Sequence, residues 1–372
     1  MRKKILFIGT LPPPIDGMTK ATLGTLEAML DYGAEVKTIN MSRTELSRGA
    51  FGQIARARDL VLIYIRLIKT AKNFDYIYFT VSESRLGNIK DMIIYGLIYR
   101  NLNLLIIHML GGTGMNKILH SSKLLSILNA FFMKKMSGVI VEGKRGFSIF
   151  GNLFLTENIH VLPNFVDDYL FTSKDLCLEK YENVEKIRVL YLSNMIPEKG
   201  FIALLDAIEL LPVHVVSQFE FTFVGGFQYS HLKVHFEERI EELSMVKYLG
   251  AFIDGEDKKL LYASTHIFCL PTFYPYEGQP ISILEAYASG CAVITTPHAG
   301  IPDIFRDNIN GFEVQPNSAK SIASCLRTIV SDKNRLIDFA THNISQATKF
   351  NRRDSYKAKV AEIFHLDQQR LI

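Results

Sequence analysis

The densest group of residues able to do chemistry is Phe273-Tyr274-Pro275-Tyr276-Glu277-Gly278-Gln279-Pro280-Ile281-Ser282-Ile283-Leu284-Glu285-Ala286, which follows an apolar run ending at Leu270-Pro271. Proline suits a first helical position, so a helix is expected to begin at Pro280, with Glu277 and Gly278 in the loop before it and Glu285 about a turn inside. Backbone N–H groups at such a start, with the helix dipole behind them, can hold phosphate oxygens, and glycine at 278 lets a ligand come close. The flanking carboxylates accept hydrogen bonds from hydroxyl-rich groups such as ribose and hexose. The same spacing also permits a plainer reading, a loop glutamate and a first-turn glutamate with no ligand.

These residues need a scaffold, and the chain supplies one by alternating short β-branched or aromatic runs with longer helical patterns. Strands are expected at 4–9, 34–39, 76–80, 104–109 and 139–142, with a helix at 18–32 and a basic amphipathic helix at 52–73. The alternation restarts with strands at 188–193, 220–224, 246–249, 266–270 and 292–295 and helices at 199–211 and 281–289. Two α/β domains follow, each a Rossmann-like lobe, and the cleft between two such lobes is the default ligand site. The polar stretch 167–185 is the expected linker.

Composition agrees with two cores: 372 residues, 48% hydrophobic and 22% charged. Four scattered cysteines, Cys177, Cys269, Cys291 and Cys325, encode neither a disulfide framework nor a zinc site and fit a reducing cytoplasm. No apolar run reaches the ~18 residues of a membrane span. The basic start, Met1-Arg2-Lys3-Lys4, precedes too short an apolar stretch for a secretion signal. Residues 1–165 hold 21 Lys and Arg against 11 acids, and the remainder 21 against 27. A basic first half points to an anionic partner such as a lipid headgroup, a lipid-linked phosphate or nucleic acid. There is no D-x-D sequence for a bridging divalent ion; Asp254-Gly255-Glu256-Asp257 reads as a helix N-cap instead.

The Glu277-x7-Glu285 element, with Ala286-Tyr287-Ala288-Ser289-Gly290-Cys291-Ala292-Val293-Ile294-Thr295-Thr296, Gly300-Ile301-Pro302-Asp303 and Asn308 to Phe312, resembles the donor-binding half of retaining family-4 glycosyltransferases. Cys291-Ala292 stands for the usual residue-plus-proline, Ala299 for the first glycine of a pair, and Asp303 for glutamate. In the same order fall Val161-Leu162-Pro163-Asn164-Phe165-Val166-Asp167, Ile196-Pro197-Glu198-Lys199-Gly200 and the turn ending at Gly225-Gly226. The resemblance implies a GT-B fold, α/β with two Rossmann-like domains facing a central cleft. It divides the chain into an acceptor-binding domain at 1–166, a nucleotide-sugar-binding domain at 186–345, and a C-terminal helix at 346–372 that crosses back to the first.

It further implies catalytic roles for Glu277, His108 and Lys199. Donor contacts are expected from Gly17, Asn194, Lys199, Gly278, Gln279, Pro280, Ile281, Ser282 and Glu285, with Glu285 on ribose and Lys199 on diphosphate. A fixed cation at 199 would stabilise the growing negative charge on the leaving phosphate. Asn194 stands where relatives carry an arginine, so one charge is missing. His108 lies two residues before Leu110, which takes the place nearest the glycines, and a satisfied buried histidine is its other reading. The expected reaction is metal-independent transfer, without a cofactor, from a nucleotide diphosphate-sugar to a glycan or lipid-linked acceptor in bacterial envelope polysaccharide synthesis. Nucleic acid is not an expected partner. The expected place is the cytoplasm or the inner face of the cytoplasmic membrane, reached through the basic helices at 52–73 and 117–135. A nucleotide-sugar epimerase on the same scaffold, or a non-catalytic sugar-binding module, are the alternatives.

Overall fold

The computed structural model describes residues 2–13, 15–42, 58, 61–67, 73–182 and 184–366. The chain divides into two compact units, Met1–Asn164 with Arg353–Ile372, and Phe165–Arg352. Each is built on a parallel six-stranded sheet with helices, the two-domain α/β architecture that the alternating pattern requires.

In the first unit the sheet order is β2-β1-β3-β4-β5-β6, from β1 (Lys4–Gly9), β2 (Glu35–Asn40), β3 (Tyr76–Thr80), β4 (Leu105–Met109), β5 (Gly138–Val141) and β6 (Ile159–Val161). The middle strands are near-continuous apolar runs because helices cover both faces of a parallel sheet; Ile5, Leu6, Phe7 and Ile8 are all fully buried. Helices α1 (Gly17–Asp31), α2 (Arg85–Leu97), α3 (Thr113–Ser121), α4 (Lys123–Met133) and α5 (Arg145–Phe150) connect the strands. A reciprocal capping box starts α1: Thr19 N–H donates to Asp16 at 2.8 Å, and Asp16 N–H to the Thr19 hydroxyl at 2.9 Å. Of the expected basic helix at 52–73, Arg58 and residues 61–67 are helical, Asn73 is not, with φ +67°, and the rest lies outside the described residues.

The second unit has the order β12-β11-β10-β7-β8-β9, from β7 (Ile187–Leu192), β8 (Phe219–Val224), β9 (Val246–Tyr248), β10 (Ile267–Leu270), β11 (Ala292–Thr295) and β12 (Gly311–Glu313). Its helices are α6 (Lys174–Glu179), α7 (Phe201–Glu209), α8 (Val213–Val216), α9 (Ser230–Glu241), α10 (Gly255–Ser264), α11 (Ile281–Ala288), α12 (Ala319–Ser331) and α13 (Arg335–Ala347). The stretch expected as a linker is packed structure here: Cys177 of α6 is buried, and the buried Tyr181 hydroxyl donates to the carbonyls of His266 and Gly290. Apolar residues at Leu170, Cys177 and Tyr181 give that polar stretch an inward face. Helix α14 (Lys357–Ile363) belongs to the first unit and packs on α1, where Tyr356 and Thr25 join hydroxyls at 2.7 Å.

In each sheet the strand order reverses once, between β1 and β3 and between β7 and β10. Ligands of open α/β sheets bind beyond the carboxyl ends of the strands at such reversals. In the second unit that directs attention to the loops after Leu192 and Leu270.

Candidate functional site

Those two loops are joined at the reversal. After β7 the chain makes a tight turn at Pro197–Lys199, closed by Gly200 with φ +87°. A Cβ at 200 would stand 2.3 Å from the Pro271 carbonyl oxygen, so glycine serves both the left-handed backbone and the close approach. The Glu198 carbonyl accepts from Phe273 N–H at 2.7 Å, zipping the turn to the loop after β10.

Lys199 and Glu277 face each other across this seam. The lysine Nζ donates to Oε1 at 2.7 Å and Oε2 at 2.8 Å, and the Thr272 hydroxyl donates to Oε2 at 2.7 Å. Glu277 is 5% exposed. The ammonium also lies 4.9 Å from the Tyr274 ring centroid, over its negative face. A buried carboxylate thus receives a cation and a hydroxyl, which offset part of its desolvation. The loop after β11 closes the other side. His298 Nε2 meets the Tyr274 carbonyl at 2.7 Å, and a Cβ at Gly300 would stand 2.6 Å from the Gly278 oxygen.

The helix starts at Ile281, as the expected span 281–289 has it, but Pro280 precedes it instead of taking the first helical position. Pro280 is the N-cap, with ψ 117°, and Ile281 is the first helical residue. Proline at the cap has no side-chain acceptor to give, and the first turn of α11 carries no acid, so neither a side-chain cap nor a carboxylate neutralises the positive end of the dipole. Gln279 and Pro280 are buried, Gly278 and Ser282 are partly exposed.

Glu285 is 2% exposed and is gripped by α10. Lys258 Nζ donates to its Oε1 at 2.7 Å, and the Tyr262 hydroxyl approaches its Oε2 at 3.1 Å. Burial first, then the Glu285 charge, holds the Tyr262 phenol well above its usual range, so it stays a donor. Sequence reasoning missed Lys258, Tyr262 and Thr272. A signal was present for two of them: Lys258 and Tyr262 stand four apart on one helix face. Asp254 is the N-cap residue of α10, but its carboxylate accepts from the Tyr169 hydroxyl at 2.8 Å instead of capping the helix.

Asn194 lies on the turn after β7 with an exposed side chain, and its carbonyl accepts from Ile196 N–H at 2.8 Å. The remaining expected residues belong to the first unit. Gly17 opens α1 in open surroundings, with nothing within 4 Å of a Cβ built on it. His108 is a core residue, 1% exposed, with Nδ1 2.7 Å from the Tyr78 hydroxyl and Nε2 without a hydrogen-bond partner. Burial lowers its pKa to about 3, so the ring is neutral near pH 7. That burial fits the other reading of His108, a buried histidine, with its ring set against Tyr78.

The glycines after β4 have a different partner. Glu83 Oε2 accepts from the N–H groups of Gly112, Gly114 and Met115 at 2.8, 3.0 and 3.2 Å, seating a carboxylate on the start of α3. A Cβ at Gly111 would stand 1.8 Å from Glu83 Oε1, and one at Gly114 2.4 Å from the Glu83 carbonyl oxygen. Burial raises the Glu83 pKa, and the three backbone donors pull it back. Among the described residues no group of three or more His, Cys, Asp or Glu converges as a metal site, and no helix is long and apolar enough to cross a membrane.

Known proteins are similar to this chain in sequence and fold. Residues 178–349 match the family model of glycosyl transferases group 1. The O-antigen chain mannosyltransferase B of Escherichia coli is 30% identical over 190 residues, 50% of this chain and 48% of that protein. The amylovoran biosynthesis glycosyltransferase AmsK of Erwinia amylovora is 25% identical over 187 residues, 48% of this chain and 44% of that one. The matched stretch thus spans about half the length of these curated relatives. Among solved structures, Anabaena HepE in complex with UDP and glucose superposes with a TM-score of 0.68 at 19% identity, covering 98% of this chain and 100% of that one. Sucrose-phosphate synthase from Thermosynechococcus elongatus gives 0.74 at 15% identity, covering 98% of each chain. The whole chain therefore has the two-domain α/β fold, GT-B, of these solved structures, and its residues 178–349 are similar to glycosyl transferases group 1.

Proposed function

We propose that this protein is a retaining glycosyltransferase that moves a sugar from a nucleotide diphosphate-sugar to a glycan or lipid-linked acceptor in bacterial envelope polysaccharide synthesis, without a metal ion. The observation that carries the reading is the Lys199–Glu277 pair, 2.7 Å apart at the strand-order reversal and on the same loop as the uncapped start of α11. In this reading the donor diphosphate takes the first N–H groups of α11 and shares Lys199 with Glu277. Lys199 stabilises the leaving phosphate as the glycosidic bond breaks, and Glu277 orients hydroxyls of the transferred sugar. Glu285, held by Lys258 and Tyr262, takes the ribose. Asn194 adds a neutral donor where relatives have a cation, and Gly278 to Ser282 line the phosphates. The first unit takes the acceptor, with Gly17 at its first strand-to-helix loop. The leaving phosphate receives the acceptor's proton on the face it vacates, which gives retention without an enzymic nucleophile. Relatives named for O-antigen and amylovoran assembly support the envelope setting, and a lipid-linked acceptor places the work at the inner face of the cytoplasmic membrane.

The test is turnover of UDP-, GDP- and ADP-sugars with an envelope lipid extract, in the presence of EDTA. Release of nucleoside diphosphate that requires acceptor, with an α-linked product from an α-linked donor, is expected. Isomerised donor, or no release from any donor, overturns the reading.

A further inference from the structure

Most apolar side chains of the first unit enter its core, but two neighbouring helices keep a row of them in solvent. On α2, Leu86, Ile89 and Ile93 are 81, 46 and 48% exposed; on α4, Leu124, Ile127 and Phe131 are 66, 58 and 51% exposed. Both rows follow i, i+3, i+7 spacing, one face of each helix. The opposite faces, with Ile94 and Tyr95 of α2 and Met133 of α4, enter the same core cluster, so both rows look outward from one side of the unit. Reciprocal amide bonds between the buried Asn88 and Asn129, at 3.0 and 2.9 Å, lock the helices side by side. At one end the Tyr99 and Phe131 rings stack at 6.0 Å, with Lys135 Nζ 5.6 Å from each ring centroid. Such a patch exceeds what scattered surface residues explain.

Charge selects what covers it. From residue 84 to 141 the chain carries seven Lys and Arg and one acid, Asp91. That acid is fully buried, with its carboxylate bonded to Ser82 and paired with Lys90. Among the described residues this stretch therefore exposes aliphatic and aromatic side chains and cations but no acid, with Lys135 directly beside the aromatic end of the row. A second copy of the chain would set these cations against one another across a self-complementary contact. An anionic bilayer meets both features, taking the apolar side chains at the headgroup boundary and the lysines on its phosphates.

We propose that the paired outer faces of α2 and α4 are a membrane-docking surface that seats on anionic lipid. This specifies the membrane contact proposed above and does not depend on the transfer reaction, because vesicle binding is read without donor or acceptor.

The test is sedimentation of the full chain with vesicles of phosphatidylethanolamine and phosphatidylglycerol, against phosphatidylcholine alone. Binding to the anionic vesicles that weakens with salt and is at least about tenfold stronger than to neutral ones is expected. Lys134→Glu with Lys135→Glu should lower partitioning about twentyfold or more, and Ile127→Glu with Phe131→Glu should abolish it. Both variants alter exposed side chains, so circular dichroism and the unfolding midpoint should match the wild type. Equal binding to both vesicle types, no binding, or binding unmoved by either variant overturns the proposal. A dimer in sedimentation velocity that Ile127→Glu dissolves would also overturn it, assigning the face to a second copy.

Discussion

Lys199 and Glu277, 78 residues apart in the chain, meet through hydrogen bonds of 2.7 and 2.8 Å to both oxygens of the carboxylate. The pair welds the two loops that flank the strand-order reversal, so the residue proposed for phosphate and the residue proposed for sugar are coupled before any ligand arrives.

That coupling separates binding from stability. Lys199→Ala is expected to weaken nucleoside diphosphate binding by roughly 10- to 150-fold, the range of about 1.5–3 kcal/mol for bonds to a charged group. It also leaves the Glu277 carboxylate buried without its cation, at a cost of about 3 kcal/mol. Adding Glu277→Gln should recover most of the stability but none of the affinity. Calorimetric titration and urea unfolding of the wild type and the two variants check this, and unchanged affinity in Lys199→Ala removes the lysine from the phosphate site.

Lys258 and Glu285 form the second buried pair, 2.7 Å apart on facing sides of α10 and α11. Lys258→Met should weaken nucleoside binding by turning Glu285 from its held position, while Tyr262→Phe, which removes a hydroxyl shared between Glu285 and the Ser282 carbonyl, costs about 1 kcal/mol of stability. Titration with a nucleoside diphosphate against inorganic diphosphate separates ribose from phosphate effects. The expected loss appears with the nucleoside only.

The glycines after β4 are expected to be intolerant for a reason unconnected with a cofactor. Gly114→Ala forces a methyl group onto the Glu83 backbone, an overpacking worth about 1–3 kcal/mol. Glu83→Ala strips three N–H groups of their acceptor at a similar cost of about 1–3 kcal/mol. Urea denaturation of both variants measures these losses, and wild-type stability in Glu83→Ala would deny the carboxylate its role.

Acid should destabilise the fold through two buried histidines. Burial lowers the pKa of His108 to about 3 and of His266 to about 4, from 6.5. His266 accepts Arg188 N–H at Nδ1, at 2.9 Å, as a neutral ring must. Below pH 6.5 the unfolded chain takes up protons that the folded rings refuse, so stability is full above that value and falls as pH drops towards 4. Each histidine removes up to about 1.4 kcal/mol per pH unit. Histidine ring resonances followed from about pH 7.5 to 5 should remain those of neutral imidazole at both positions.

Much of the scaffold was legible because a parallel sheet writes itself as apolar runs between amphipathic helices. β1, β3 and β11 fall at the expected residues, and most others within one. Two of the three three-residue edge strands, Ile159–Val161 and Gly311–Glu313, escaped because so short a run carries little pattern, whereas the third, Val246–Tyr248, fell within the expected 246–249. Residues 167–185 read as a linker because their polar majority masks the few side chains that pack. Along the candidate site, local spacing revealed Glu277, Gly278, Pro280 and Glu285, which sit in one loop and the helix it opens.

What the sequence determined by itself were the features of short range: strand and helix periods, the glycine and proline that shape the loops after Leu192 and Leu270, and the order of motifs along the chain. Tertiary structure decided the partners. Lys199 meets Glu277, Lys258 meets Glu285, Glu83 occupies the start of α3, and His108 turns inward, each across 27 to 78 residues or into a core built from separate strands. Backbone periodicity fixes which way a side chain leaves its own element. Only the packing of distant elements fixes what charge or hydrogen-bonding group waits there, and burial makes that partner decisive by raising the cost of having none.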